Sequence, residues 1–144
     1  MLGHHFRLRV SNTQNQAITV ALKYRPWKFS SAGALVYGAE QTLQLRNSAD
    51  TAFVAQPLSL AATVGTTYST TVDNSIDLYI GAEFTLSCTA GATTNGSGVL
   101  SVTLERSTDA GTTWPKDGQG EFVGGYTVTA ADTTSARLKN LTVD

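Results

Sequence analysis

Cysteine is nearly absent from this sequence: Cys88 is the only one in 144 residues, which excludes an intrachain disulfide and a cysteine-rich metal site. Its expected role is that of a small buried apolar side chain. Histidine is almost as scarce, with only His4 and His5, and adjacent residues on a strand point to opposite faces. They read as polar residues of an N-terminal end, around which no nucleophile, base and orienting group can be assembled. No catalytic residue, metal site or cofactor is expected, so the chain does not read as an enzyme. Charge is thin as well: charged residues make up 15% and the formal net charge is -1. So weak a field does not gather phosphate backbones or anionic lipids, and neither nucleic acid nor membrane is an expected partner. No apolar run approaches the roughly 18 residues of a spanning helix. The start Met1-Leu2-Gly3-His4-His5 lacks a basic region followed by an apolar stretch, so no secretion signal is expected.

What is present suits β-structure. Hydrophobic residues reach 41%, enough for one packed interior, and the length fits a single domain over residues 1–144. Thr prefers strands, while Gly and Ser mark turns. Alternation with a period of two then locates the strands. Phe6, Leu8 and Val10 share one face of a first strand, and Ile18, Val20, Leu22 and Tyr24 share one face of a second. These two are expected to pair as a hairpin or close neighbours. Pro26 cannot donate to a ladder and implies a strand end, edge or bulge. Short strands follow around Leu35 to Tyr37, Thr42 to Leu45, Leu58 to Val64 and Tyr68 to Val72.

The longest pattern covers residues 75–90, with Ile76, Leu78, Ile80, Ala82, Phe84, Leu86 and Cys88 in phase. It reads as one long half-buried strand, or two broken near Gly81. A Gly/Thr/Asn/Ser-rich tip over residues 91–98 leads to Leu100, Val102 and Leu104, and then to strands at 122–130 and 136–143, the former with Phe122, Tyr126 and Val128 in phase. Many short strands and no amphipathic helix predict an all-β fold, an antiparallel β-sandwich or a jelly-roll-like barrel. The weakly patterned stretch within residues 47–66 is a candidate arm or loop that orders on assembly.

Two segments carry functional information. Ser107, Asp109, Gly111, Thr113 and Trp114 match every specified position of Ser-x-Asp-x-Gly-x-Thr-Trp, which resembles the Asp-box hairpin. Asp109 suits acceptance of turn amides, Gly111 suits a positive φ, and Trp114 is expected to plug the hairpin onto the core. The Asp-box is associated with sialidases and other glycan-processing propellers, away from their catalytic centres. A single box in so short a chain therefore predicts a structural hairpin. The acids around it, Glu105, Asp109, Asp117 and Glu121, read as solvated turn residues. Asp73 and Asp77, four positions apart on an extended strand, would be about 13 Å apart, too far to act as a pair unless a turn folds them together.

The second segment, Lys23-Tyr24-Arg25-Pro26-Trp27-Lys28-Phe29, interleaves basic and aromatic residues. Lys23, Arg25, Trp27, Lys28 and Phe29 form a candidate interface, with strand-end packing as the competing reading.

The stretch from Tyr24 to Tyr37, together with that from Leu104 to Pro115, resembles small structural proteins of tailed-bacteriophage virions. The resemblance implies a non-enzymatic, multi-copy β-sandwich that decorates or stabilises the capsid, or forms part of the tail or its connector. Its partners would be copies of itself and other virion proteins, and its location the virion, assembled in the host cytoplasm. The alternative is a carbohydrate-binding β-sandwich module, an adhesin or receptor-binding accessory. There a glycan would stack on Trp27, Tyr37, Tyr79 or Trp114, and an aromatic row on one sheet face would favour it.

Overall fold

The computed structural model describes residues 3–46, 52–55, 57–60, 65–90, 99–116, 119–126 and 136–143. Its strands, in chain order, are β1 (His5–Asn12), β2 (Ile18–Phe29), β3 (Leu35–Tyr37), β4 (Gln41–Thr42), β5 (Leu45–Arg46), β6 (Phe53–Val54), β7 (Leu58–Leu60), β8 (Gly65–Tyr68), β9 (Val72–Asp73), β10 (Gly81–Ala90), β11 (Leu100–Ser107), β12 (Glu121–Tyr126) and β13 (Ala136–Val143). They build an all-β fold of two antiparallel sheets. The first runs β12-β11-β1-β8 with β9 also on β1; the second runs β13-β10-β2-β3 with β4 and β7 also on β2. A two-stranded ribbon, β5 with β6, is attached by a bridge between Leu45 and Ser69.

Alternation explains the core. Phe6, Leu8 and Val10 of β1 and Leu100, Val102 and Leu104 of β11 are buried in one cluster with Ile18, Val20, Leu22 and Tyr24 of β2 and Ala82, Phe84, Leu86 and Cys88 of β10. Tyr24 meets Phe6 of the other sheet edge-on at 5.9 Å and stacks at 6.4 Å on Phe84, its neighbour within the second sheet. Cys88 is buried in this cluster.

Four local expectations need correction or narrowing. β1 and β2 do not pair; they belong to different sheets, β1 lying beside β11 and β2 beside β10. Their link is a crossing between sheets, held by Asn12, whose Nδ2 donates to the Gln16 carbonyl at 2.8 Å and whose Oδ1 accepts from the Gln14 amide at 3.0 Å. Buried amide side chains, not a tight two-residue turn, make the connection.

Pro26 does not end its strand, and of the expected placements the bulge is the one that stands, since the register with the neighbouring strands shifts by one residue between Tyr24–Gln41 and Trp27–Tyr37. It is buried within β2 opposite Ala82, and its carbonyl accepts from Gly38 at 2.8 Å. The side of the strand where its N–H would stand faces the gap between β3 and β4, where no ladder donor is needed.

The long run over residues 75–90 breaks at Gly81. Ala82, Phe84, Leu86 and Cys88 hold their phase in β10, but residues 75–77 turn and Ile76 is 86% exposed. The turn is organised by Asn74, which donates to the carbonyls of Gly3 and Tyr79 and accepts from the Tyr79 amide. Local side-chain hydrogen bonding here overrides the alternation.

Phe122 faces outward at 66% exposure, because the β11–β12 register shifts between Val102 and Thr103. Val123 packs against the core instead.

Of the expected arm over 47–66, residues 47–51, 56 and 61–64 lie outside the described residues. The described ones pair as β6 with β5, β7 with β2, and β8 with β1.

Candidate functional site

The Asp-box segment closes the β11–β12 connection through short-range hydrogen bonds. The hydroxyl of Ser107, the last residue of β11, accepts from the Gly111 amide at 2.8 Å and donates to Asp109 Oδ1 at 2.7 Å. Asp109 in turn accepts from the Thr113 amide at 2.8 Å and the Thr113 hydroxyl at 2.7 Å. These donors, the Thr113 hydroxyl foremost, hold the Asp109 carboxyl down at about 2. Two successive residues take positive φ, Ala110 at 57° and Gly111 at 84°. Gly111 adopts this without strain, whereas the Cβ of Ala110 makes it costly.

Trp114 is placed differently from the sequence expectation. It is only half-buried and lies outside the apolar core. Its ring covers the Arg7 guanidinium at 4.4 Å, and Tyr68 covers the same group at 4.1 Å. Arg7 Nε donates to Glu105 Oε2 at 2.7 Å, and the Glu105 side chain is 1% exposed. Arg7 and Glu105 are cross-strand partners on the outward side of the first sheet. The hairpin therefore anchors on a clamped cation above a buried carboxylate, because that face presents charge where the inner face presents aliphatic carbon. The hairpin acids are engaged structurally: Glu105 by Arg7, Asp109 by Thr113, Glu121 by Arg106. Asp117 lies outside the described residues.

The basic and aromatic segment of β2 divides by parity. Lys23, Arg25, Trp27 and Phe29 share the outward side of the second sheet, while Lys28 has the opposite phase. Lys28 donates to the Asp77 carbonyl at 2.7 Å and lies 4.9 Å over the Tyr79 ring. Register then adds residues that the sequence alone does not associate with this segment: Tyr37 opposite Trp27, Leu35 opposite Phe29, and Glu83 opposite Arg25. Phe29 is 57%, Leu35 49% and Tyr37 37% exposed. Trp27 meets Phe29 edge-on at 5.9 Å, and Arg25 covers Tyr37 at 4.1 Å while the Tyr37 hydroxyl donates to Glu83 at 3.0 Å. Lys23 pairs with Glu40 at 3.1 Å. The result is an apolar ridge at a sheet edge, flanked by charges of both signs.

Of the four rings considered as a stacking platform, Trp27 and Tyr37 meet on this face. Tyr79 and Trp114 lie elsewhere, under Lys28 and over Arg7. Among the described residues no group of three or more His, Cys, Asp or Glu is placed to hold a metal ion. No family model, curated protein or solved structure matches the chain.

Proposed function

We propose that the chain is a non-catalytic assembly module, a β-sandwich that works in many copies as a structural protein of a tailed-bacteriophage virion, decorating or stabilising the capsid or forming part of the tail or its connector. The observation that carries the assembly function is the ridge of exposed Phe29, Leu35 and Tyr37 beside the half-buried Trp27 at the edge strand β3. Contiguous apolar surface at a sheet edge costs solubility unless a partner covers it. A second copy is the occupant, because Arg25 and Glu83 stand side by side on this face. A two-fold arrangement then sets each charge of one copy against its opposite on the other, as an isologous interface requires. The virion setting rests on the resemblance of the two quoted segments.

Sedimentation of the purified chain tests the assembly function. Self-association that is lost in Phe29→Ser combined with Leu35→Ser is the expected result; a wild-type chain that stays monomeric at high concentration overturns it. Peptides of this sequence in gradient-purified particles are expected from the virion setting, and their absence from every particle of the producing lysate overturns that part.

Carbohydrate binding is the second reading, favoured by one observation, the adjacency of Trp27 and Tyr37 on an exposed face. Against it, Phe29 stands edge-on to Trp27 at 72°, which breaks the flat platform that a pyranose stacks on. Binding of an oligosaccharide on a glycan array, abolished by Trp27→Ala without change in oligomeric state, would establish that reading over the first.

A further inference from the structure

β3 ends the second sheet, and its ladder with β2 shows which of its backbone groups are used. In an antiparallel pair, residues that exchange hydrogen bonds alternate with residues whose amides and carbonyls point the other way. The Ser30 amide donates to the Ala34 carbonyl at 2.8 Å, and the Gly38 amide to the Pro26 carbonyl at 2.8 Å. These bonds fix the phase. Ala34, Val36 and Gly38 bond toward β2, so the N–H and C=O groups of Leu35 and Tyr37 point off the edge of the sheet. Among the described residues no strand lies on that side, and Leu35, Val36 and Tyr37 are all exposed. Of the devices that blunt a sheet edge, only shortness is present: β3 holds no proline, no charge and no bulge.

The groups left at this edge are self-complementary. They sit symmetrically about Val36, so a second copy placed antiparallel by a two-fold axis at Val36 sets Leu35 opposite the partner's Tyr37, and Tyr37 opposite the partner's Leu35. Both amides and both carbonyls of each copy are then bonded. Residues paired across a ladder share a face, so the side chains align as well. One row reads Trp27, Tyr37, the partner's Leu35 and the partner's Phe29, and the axis repeats it in reverse. Charge favours the same direction. Glu40 lies beyond the Tyr37 end of β3, while the turn over residues 30–34 at the other end carries no charge. Antiparallel placement sets each Glu40 toward the partner's neutral turn, where a parallel one would set Glu40 against Glu40. Lys28 stands one strand back from the axis, bound to the Asp77 carbonyl at 2.7 Å. An unrelated strand could meet the same backbone groups, but only a second copy continues the apolar rows by symmetry.

We propose that two copies join through β3 as an antiparallel strand pair centred on Val36, so that their second sheets become one sheet across the two-fold axis. This rests on the association read above from the ridge, because a ladder of 3 residues holds only with the apolar rows beside it. It adds a second contact to that reading. One two-fold contact stops at two copies, whereas edge pairing leaves the outward face free to meet a further pair. Val36→Cys tests the register. On the axis the two Cα atoms stand about 4.5 Å apart, within disulfide range, whereas Leu35→Cys or Tyr37→Cys sets its two copies roughly 8 Å apart, out of reach. Under mild oxidation Val36→Cys is expected to form covalent dimer at least about tenfold faster than either, with the unsubstituted chain, whose Cys88 is buried, as the blank. Hydrogen exchange reads the same contact without any variant. The Leu35 and Tyr37 amides should gain protection as the concentration of the chain rises, while the Val36 amide, which faces Lys28 in the ladder, is protected throughout. Self-association in sedimentation with neither the crosslink at position 36 nor protection at Leu35 and Tyr37 overturns the strand pairing and leaves the ridge contact standing. A chain that stays monomeric overturns both. Equal crosslinking at positions 35, 36 and 37 overturns the register. Protection of the Leu35 and Tyr37 amides only when other proteins of the producing lysate are added to the monomer would give the edge to a foreign strand, and overturns the second copy.

Discussion

The outward faces of the two sheets differ in how the chain treats them. At the β1–β11 centre of the first sheet the polypeptide covers its own charge: Trp114 and Tyr68 enclose Arg7, and Arg7 neutralises a Glu105 side chain that is 1% exposed, while Phe122 at the β12 edge stays open. On the second sheet Phe29, Leu35 and Tyr37 remain exposed beside Trp27, and the neighbouring charges interact across them without closing over them. A face closed by its own chain carries stability. A face left open carries association, since uncovered apolar surface contributes little to folding and much to contact with another molecule.

The largest expected effect breaks the closed face at its centre. Arg7→Ala leaves the Glu105 carboxylate buried without its partner, and a cost of about 3–5 kcal/mol is expected in urea denaturation. Replacing both residues by apolar ones of similar volume should recover most of that loss, because the desolvation penalty is removed with the pair. A cost under about 1 kcal/mol for Arg7→Ala would show that the backbone of the hairpin closes this face without the clamp.

Trp114→Ala comes next. Half-burial over a cation predicts a loss of about 1–2 kcal/mol, below the roughly 3–5 kcal/mol that a core tryptophan costs. A larger loss would place the ring in the packing of the core.

The turn itself is tested by acid. The Asp109 carboxyl sits at about 2 in the folded chain, below the roughly 3.9 of an unfolded aspartate. The unfolded state therefore binds the proton first, so the contribution of this group is complete above about pH 4 and is lost as pH falls toward 2. Asp109→Asn should flatten the pH dependence of the unfolding midpoint within that window. An unchanged slope would assign the acid sensitivity to other carboxylates, among them Asp73, which is lowered by its hydrogen bonds to Ser75.

The smallest effect on folding belongs to the open face. Phe29→Ala and Leu35→Ala are each expected to change monomer stability by no more than about 0.5 kcal/mol, while sedimentation registers the loss of self-association. A large destabilisation without any change in association would make this ridge part of the fold and erase the contrast between the two faces.

Much of the local structure was legible. The phases of Phe6-Leu8-Val10, Ile18 to Tyr24, and Ala82 to Cys88 led directly to the buried cluster, since alternation depends only on neighbours along the chain. The run before Gly81 was misleading because Asn74 captures the backbone there, and an apolar pattern does not reveal such a bond. The pairing of β1 with β2 failed for a related reason: sequence adjacency favours a hairpin, but Asn12 and the amides beside it turn the chain into the other sheet. At the candidate interface the basic and aromatic residues of β2 were visible, whereas Leu35, Tyr37 and Glu83 joined them only through register.

By itself the sequence determined the strand periods, the lack of any broad charge, and the Asp109 turn, whose hydrogen bonds all close within four residues of chain. Only the tertiary structure decided that Trp114 would meet Arg7, that Arg7 would meet Glu105 across a separation of 98 residues, and that the ridge beside Trp27 would stay open while the centre of the first sheet is covered. Short-range bonds follow from residue order whatever the rest of the chain does. Which strand lies beside which depends on the packing of every other strand, and no segment carries that information alone.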